Sequence, residues 1–127
     1  MSPWDWNHLS PPGYPNCYLN NKDRTWLLET SYGYYIYLEF YNLHLQYGGR
    51  YCAYDFVEIY DGSSLLSPLE ARACGQLGWF YFYSSGRFLL VRFHSDNSIQ
   101  MPGFSAWYQA VNYSKKSCST FVFTFSV

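Results

Sequence analysis

Four cysteines have the clearest capacity for chemistry in this 127-residue sequence, because paired thiols can form disulfide bonds. Cys52 and Cys74 flank a β-branched and aromatic run, the turn dipeptide Asp61-Gly62 and a second apolar segment. This order predicts a β-hairpin with one cysteine at each end. We therefore expect a Cys52–Cys74 disulfide, which would stabilise the fold by roughly 3 kcal/mol in the chain-entropy model.

Cys17 and Cys118 form the remaining pair, and they lie towards the two ends of the chain. Because chain termini are often close in compact domains, a second bridge between them is one prediction. Free thiols, or bonds to parts of a longer chain, are the alternatives that the sequence leaves open. Four cysteines in a small β-rich chain favour an oxidising, extracellular compartment.

The other residues with catalytic potential show no catalytic arrangement. His8, His44 and His94 lack the spacing of a metal-binding motif, and no serine stands in a nucleophile-elbow sequence. The glycines occur in turns and not in a phosphate-binding loop. We therefore expect no enzymatic activity, and we interpret the histidines as surface or partly buried polar residues.

Short strands must position these residues. Segment 34–45 alternates in a way that is typical of a half-buried strand, and its outward residues are predicted to be Tyr35, Tyr37, Glu39 and Tyr41. Exposed tyrosines suit a binding surface, unless another domain covers that face. Further strands are predicted at 26–29, 79–83, 88–94 and 104–109, with no helical period. The spacing predicts an all-β, antiparallel sandwich.

The composition limits the class of partner. Aromatic residues make up 24% of the sequence and charged residues 13%, with a net charge of −1. Such a chain has no bulk charge to attract nucleic acid, and it has no apolar run long enough for a membrane span. The first ten residues include Trp4, Asp5 and Trp6 where a signal peptide would be apolar. We expect a fragment of a longer secreted protein, or a chain whose true start is missing.

Four motifs in a fixed order resemble the CUB domain. They are Cys-Ala-Tyr-Asp-Phe-Val-Glu-Ile-Tyr-Asp-Gly at 52–62, Ala-Cys-Gly at 73–75, Phe-His-Ser-Asp-Asn-Ser at 93–98 and Gly-Phe-Ser-Ala-Trp-Tyr at 103–108. None is specific alone, but together they fit one domain, with the closest likeness to mucosal scavenger-receptor and zona-pellucida-type glycoproteins. The resemblance implies a jelly-roll-like sandwich of two sheets. The sequence departs from the family at Arg24, where a cysteine is usual.

The resemblance also implies a calcium site. Many CUB domains bind calcium at one end of the sandwich through a glutamate, two aspartates and a backbone carbonyl. The matching positions here are Gln46, Asp55, Asp96 and Ser98. Calcium prefers anionic oxygen ligands, so Gln46 in the glutamate position predicts a weakened site. The alternative is that both aspartates only cap turns and accept backbone N–H groups.

By the same resemblance, the predicted function is extracellular protein recognition by a non-enzymatic module. The end that carries Asp55 and Asp96 would hold a lysine of the partner through a charge-assisted contact. Two other functions stay open. One is carbohydrate binding, as in lone CUB domains of the spermadhesin type, and the other is service as a non-catalytic part of a larger secreted protease.

The chain divides by this comparison into a poorly ordered lead at 1–9, a CUB domain at 10–109 and a tail at 110–127. The tail begins near Asn112-Tyr113-Ser114, the single glycosylation sequon of the sequence. Asn112 is therefore a candidate glycosylation site, with an unused tripeptide as the alternative. The apolar run at 121–125 is either an extra strand or an exposed tail.

Overall fold

The computed structural model describes residues 6–112, and these residues form β-strands and no helix. The nine strands are β1 (Asn7–Leu9), β2 (Asp23–Glu29), β3 (Tyr34–His44), β4 (Phe56–Tyr60), β5 (Leu69–Ala73), β6 (Gln76–Leu77), β7 (Phe80–Tyr83), β8 (Phe88–His94) and β9 (Gly103–Asn112). The part of the chain that is described contains no helix capable of crossing a membrane.

The strands form two antiparallel sheets. The first sheet has the order β1-β9-β3-β6, with β7 also paired to β3, and the second sheet has the order β2-β8-β4-β5. Every strand pair is antiparallel. The buried residues of both sheets form one hydrophobic cluster. The predicted antiparallel sandwich is therefore confirmed.

The core lies between the sheets. On β3, Ile36, Leu38 and Phe40 are completely buried, as the alternation of the sequence predicts. The Phe104 ring of β9 lies 5.3 Å from the Phe40 ring and 6.0 Å from the Phe93 ring of the second sheet, between centroids. This aromatic cluster joins the two sheets. Burial of each ring stabilises the folded state by roughly 1.5–3 kcal/mol.

Strands β4 and β5 form the predicted hairpin, with the Asp61-Gly62 turn after β4. A Cβ atom at Gly62 would lie 2.2 Å from Ser67 Oγ, so the turn requires glycine. Cys52 and Cys74 form the predicted disulfide, with their Cα atoms 5.6 Å apart. The bridge ties the segment before β4 to the end of β5, and Asp55 lies within that tethered segment.

Some elements differ from the sequence predictions because strand pairing extends them. β2 begins at Asp23 instead of residue 26, since Asp23 pairs with His94 of β8. No apolar period in the sequence indicates the short β6, which pairs with the end of β3. The sequence predicted that Tyr35 faces solvent, but its side chain is only 3% exposed, because the Tyr83 ring packs against it with the centroids 5.7 Å apart.

Strand β1 lies within the segment that the sequence predicts as a poorly ordered lead. It pairs with β9, with Leu9 opposite Ala106, and the Leu9 side chain is buried in the core. The structure thus differs from the prediction at these three residues, because one apolar side chain and the free edge of β9 anchor them. The domain limits at 10 and 109 stay predictions.

Candidate functional site

Antiparallel pairing brings Asp55 and Asp96 to one end of the second sheet. Asp55 directly precedes β4, and Asp96 follows the end of β8. The strands meet there, because Phe56 of β4 pairs with His94 of β8. The backbone N–H of Asp96 donates to Asp55 Oδ1 at 2.8 Å. The two aspartates of the predicted site are therefore neighbours.

Tyr18, in the loop between β1 and β2, completes the hydrogen bonding of Asp55. Its hydroxyl donates to Asp55 Oδ2 at 2.5 Å and accepts from the backbone N–H of Gln46 at 3.2 Å. Tyr18 and Asp55 are both completely buried, and the Tyr18 ring packs edge-on against Phe93 at 5.2 Å. Tyr18 thus links the Asp55 carboxylate to the loop that carries Gln46.

Gln46 follows β3 and reaches the same end of the sandwich. Its side-chain oxygen Oε1 is buried and has no hydrogen-bond partner within residues 6–112. A buried polar group without a partner costs on the order of 1–3 kcal/mol. The Gln46 side chain therefore carries an acceptor that a cation or a donor would satisfy, and its backbone N–H is held by the Tyr18 hydroxyl.

Asp96 shapes the loop that follows β8. Its Oδ1 accepts the backbone N–H of Ser98 at 3.1 Å and the Ser98 hydroxyl at 3.4 Å. These are the turn contacts expected from an aspartate that only caps a turn. They do not exhaust the carboxylate, because each of its oxygens carries two lone pairs. Asp96 has the capacity to form the turn and to hold a cation at once.

Burial sets the charge of Asp55. Loss of solvent contact, with a contribution from the neighbouring Asp96 charge, raises the pKa of the Asp55 carboxyl, although the Tyr18 hydroxyl and the Asp96 N–H partly oppose this shift. Burial and the Asp55 carboxylate raise the pKa of Tyr18, so its hydroxyl stays protonated and remains a donor. A cation next to both carboxylates would offset the cost of ionising Asp55.

The ligand atoms at this end suit a hard cation. Carboxylate, amide and hydroxyl oxygens are the ligands that calcium takes in proteins. Across residues 6–112, however, no group of three His, Cys, Asp or Glu side chains converges as a metal site. The calcium site at Gln46, Asp55, Asp96 and Ser98 therefore stays a prediction, with two carboxylates and a neutral amide as its side-chain oxygens.

The histidines lie away from this end or have other partners. His8 forms a hydrogen bond of 2.8 Å with Ser105 Oγ, but within residues 6–112 no carboxylate orients its imidazole as a catalytic triad requires. His94 Nδ1 contacts Asp23 at 3.1 Å, and its ring stacks on Phe56. These contacts match the predicted role of surface or partly buried polar residues.

The remaining predicted sites lie partly outside the described residues. Cys17 is exposed and has no disulfide partner within residues 6–112, whereas Cys118 lies outside them. The Cys17–Cys118 bridge therefore stays a prediction. Asn112 is the last residue of β9, and the rest of its sequon is not described.

Sequence reasoning missed the part played by Tyr18. A loop dense in Pro, Asn and Gly predicts exposed side chains. Tyr18 is instead among the largest completely buried side chains. The loop holds two tyrosines, and nothing in its sequence indicates that Tyr18 packs into the core while Tyr14 stays 40% exposed.

Comparison with known proteins identifies the family. The family model described as the CUB domain matches residues 5–108. Over 104 residues the chain is 39% identical to bone morphogenetic protein 1 of Xenopus laevis, covering 82% of this chain and 15% of that protein. The fold matches the CUB1-EGF-CUB2 domain of human MASP-1/3 with a TM-score of 0.72 and 30% identity, covering 84% of this chain and 42% of that chain. It also matches a MASP-1 CUB2 domain bound to Ca²⁺, with a TM-score of 0.70, 22% identity and coverage of 82% and 91%.

These likenesses are of a domain and not of whole proteins. The chain spans 15% of the length of bone morphogenetic protein 1, so the activity of that protein does not follow for this chain. What the relatives share is a generally non-catalytic, extracellular interaction module. The family model covers most of the sequence, and both sheets agree with the solved structures. The chain therefore belongs to the CUB domain family.

Proposed function

We propose that this domain recognises extracellular proteins through a weak calcium site at the end that carries Asp55 and Asp96. One observation carries the proposal: Asp55 and Asp96 are neighbours, and the Tyr18 hydroxyl that donates to Asp55 also accepts the backbone N–H of Gln46. The Gln46 Oε1 is buried and has no partner among residues 6–112. The cluster leaves a raised pKa on Asp55 and an orphaned acceptor. Both penalties are relieved by a cation.

Each residue has a distinct part in this proposal. Asp55 is a fixed ligand, because the Tyr18 hydroxyl and the Asp96 N–H hold its two oxygens in place. Asp96 is the carboxylate nearer to solvent, and Gln46 and Ser98 add neutral oxygens. A bound calcium ion supplies the positive charge that balances the two carboxylates.

The partner contact proposed here is a lysine ammonium held by Asp96. A shallow cleft of about 410 Å³ lies beside Asp96, with Lys22 and Asp23 also on its walls. Arg92 Nη2 already pairs with Asp23 Oδ2 at 2.7 Å. Asp96 is therefore the carboxylate in this cleft that is open to an incoming lysine, and such a contact is charge-assisted.

The comparison structure of a MASP-1 CUB2 domain bound to Ca²⁺ supports calcium binding by this kind of fold. Calcium affinity rises with the number of charged ligands, and this chain offers Gln46 where a carboxylate would add charge. We expect calcium to bind this domain weakly, in keeping with the two carboxylates present.

Calcium titration by calorimetry tests the site. Gln46→Glu should tighten calcium binding about tenfold, because it adds a charged ligand. Gln109→Glu is the matched control, since it adds the same charge on the first sheet and should leave the affinity unchanged. Asp96→Asn should abolish calcium binding and weaken partner binding while circular dichroism shows an intact fold.

Two results would contradict the proposal. If Gln46→Glu binds calcium no better than Gln109→Glu, Gln46 does not face the ion. If Asp96→Asn binds a secreted partner as tightly as the original chain, recognition occurs elsewhere on the surface. Calcium-independent binding on a glycan array would instead favour a carbohydrate-binding module.

The wider setting belongs to the same proposal. We place the domain at 10–109 of a secreted protein or of the extracellular part of a larger one, including a secreted protease that uses it as a non-catalytic appendage. Mass spectrometry after alkylation without reduction tests the Cys17–Cys118 bridge. Two labelled thiols on the folded monomer would exclude it. Glycosidase treatment of protein from a secretory host tests Asn112.

A further inference from the structure

Glu39 occupies the centre of an aromatic surface on the outer face of the first sheet. On its own strand, Tyr37 and Tyr41 stand two residues away on the same face. Across the sheet, Glu39 pairs with Trp107 of β9 on one side and with Tyr81 of β7 on the other. The strand register therefore places an aromatic residue on all four sides of one carboxylate.

Neutral donors from this surface hold the Glu39 carboxylate. Its Oε2 accepts the Tyr37 hydroxyl at 2.7 Å and the Trp79 indole N–H at 3.3 Å, and its Oε1 accepts the Tyr41 hydroxyl. Partial burial opposes ionisation, but the hydrogen bonds from Tyr41, Tyr37 and Trp79 outweigh it and lower the pKa of Glu39. The carboxylate is therefore anionic at neutral pH.

This negative charge has no cation beside it. Elsewhere in the described residues, Glu29 pairs with Arg87, and Glu58 pairs with Arg92 and Arg72. By contrast, no lysine, arginine or histidine of residues 6–112 forms an ion pair with Glu39. The positive partner that Glu29 and Glu58 have is missing here, as it is for Glu70 among the described residues. Glu39 differs from Glu70 because it is embedded among rings that attract cations.

The surface is open to a ligand. Trp79 is 57% exposed, Tyr81 45% and Trp107 37%. Glu39, Tyr41 and Trp107 also line a groove of about 780 Å³, which Trp6 lines as well. Exposed aromatic rings of this size are favourable contact surfaces at protein interfaces.

The hydrogen bonds already made select the kind of cation. A carboxylate offers about four lone-pair positions, and Glu39 uses two on Oε2 and one on Oε1. One acceptor position on Oε1 is left. A guanidinium fork binds best to two free oxygens, whereas an ammonium needs only one acceptor and makes its other contacts to ring faces.

We propose that Glu39 and the surrounding rings of Tyr37, Tyr41, Tyr81 and Trp107 bind a lysine side chain of a partner protein. This site is separate from the Asp55 and Asp96 end and needs no calcium. The ammonium donates to Glu39 Oε1, and its alkyl chain packs along the rings. The domain then has two independent positions for recognising basic partners.

NMR titration with Nα-acetyl-lysine methylamide in the presence of EGTA tests this site. We expect the indole N–H signals of Trp79 and Trp107 to shift. Glu39→Gln, which keeps the size of the side chain, should weaken binding about fivefold by removing the charge. Glu70→Gln removes the same charge on the second sheet and should have no effect. Asp96→Asn should also bind the probe normally, which separates this site from the calcium site.

Three comparisons refine the result. The arginine analogue should bind more weakly than lysine, and the neutral norleucine analogue should not bind. Trp107→Leu keeps Glu39 and should weaken binding through loss of the ring, with Trp79 as the reporter. This second variant keeps the test informative if Glu39→Gln fails to fold.

Several outcomes would overturn the proposal. Equal lysine binding by Glu39→Gln and the original chain would show that the carboxylate is only a hydrogen-bond acceptor for the tyrosines. Shifts caused by methyl glycosides but not by lysine would make the surface a glycan platform. Tighter probe binding after Lys115→Gln and Lys116→Gln would assign the site to the chain's own tail. Dimerisation that masks the surface would assign it to a second copy.

Discussion

Replacing Tyr18 with phenylalanine tests the physical basis of the Asp55 site. The ring and its packing against Phe93 are kept, and only the hydroxyl is lost. That hydroxyl donates to the buried Asp55 carboxylate and accepts from the Gln46 N–H. Tyr18→Phe therefore removes the donor of one charged hydrogen bond and the acceptor of a longer one.

The expected loss of stability in Tyr18→Phe follows from those two hydrogen bonds. A hydrogen bond to a charged group contributes about 1.5–3 kcal/mol, and a neutral one about 0.5–1.5 kcal/mol. The Asp55 bond belongs to the first class and the Gln46 bond, at 3.2 Å, to the second. We expect Tyr18→Phe to lower the free energy of unfolding by about 2–4 kcal/mol at pH 7 in the absence of calcium.

The loss of stability in Tyr18→Phe should increase as the pH rises. The pKa of Asp55 is raised in the folded state, so its contribution to stability is largest at low pH and falls as the pH rises through the folded value. The Tyr18 hydroxyl limits that rise in pKa, and its removal allows a larger one. The deficit of Tyr18→Phe should therefore grow between the ordinary carboxyl pKa and neutrality, by about 1 kcal/mol.

Urea denaturation followed by tryptophan fluorescence at a series of pH values measures both effects. Tyr108→Phe is the matched control, because the Tyr108 hydroxyl has no hydrogen-bond partner among residues 6–112. We expect a change within about 0.5 kcal/mol for that variant. A Tyr18→Phe deficit no larger than that of Tyr108→Phe would refute the view that this hydroxyl stabilises a buried charge. So would a deficit that is constant from pH 4 to pH 7.

Three further predictions concern the frame around the site. Ser84→Ala should lower the free energy of unfolding, measured by urea denaturation, by about 2 kcal/mol. The reason is that the buried Ser84 Oγ accepts the backbone N–H of Ile36 in β3 at 2.7 Å. A loss under about 0.5 kcal/mol would contradict this prediction. Arg92→Met should lower the free energy of unfolding by about 1–2 kcal/mol at pH 7. Its hydrogen bonds are the largest cause of the lowered pKa of Asp23, so the deficit should shrink as the pH falls from the ordinary carboxyl value through the lower pKa of the folded state. An undiminished deficit at pH 3 would show that packing is responsible. Replacing Cys52 and Cys74 with alanine should cost about 3 kcal/mol, and an unchanged urea midpoint would show that the hairpin does not need the bridge.

The sequence predicted those features that depend on local patterns. The alternation in β3 identified Ile36, Leu38 and Phe40 as core, and the cysteines around the turn identified the hairpin and its bridge. It also predicted that Asp55 and Asp96 would meet, because the family motifs placed them at adjoining strand ends. The first two follow from period and chain order, and the third follows from the family resemblance.

The features it did not predict depend on contacts between distant segments. Tyr35 is buried by Tyr83, and Tyr18 reaches Asp55 across 37 positions of sequence. The aromatic surface around Glu39 requires the registers of β7, β3 and β9 at once. No pattern within a single strand contains that information, so the surface is visible only in the assembled sheet.

The short strand β1 decides where this domain can be cut from a longer chain. A fragment that starts at Ser10 loses the buried Leu9 side chain and the pairing of three residues with β9. It leaves the edge of β9 bare from Ala106 to Tyr108, and an unpaired edge is a template for aggregation. A fragment intended for biophysical work should therefore begin before Asn7, which agrees with the family match from residue 5 and not with the limit at residue 10 predicted from the sequence. The nine residues that look like a dispensable lead thus include the three that cover this edge of the sheet.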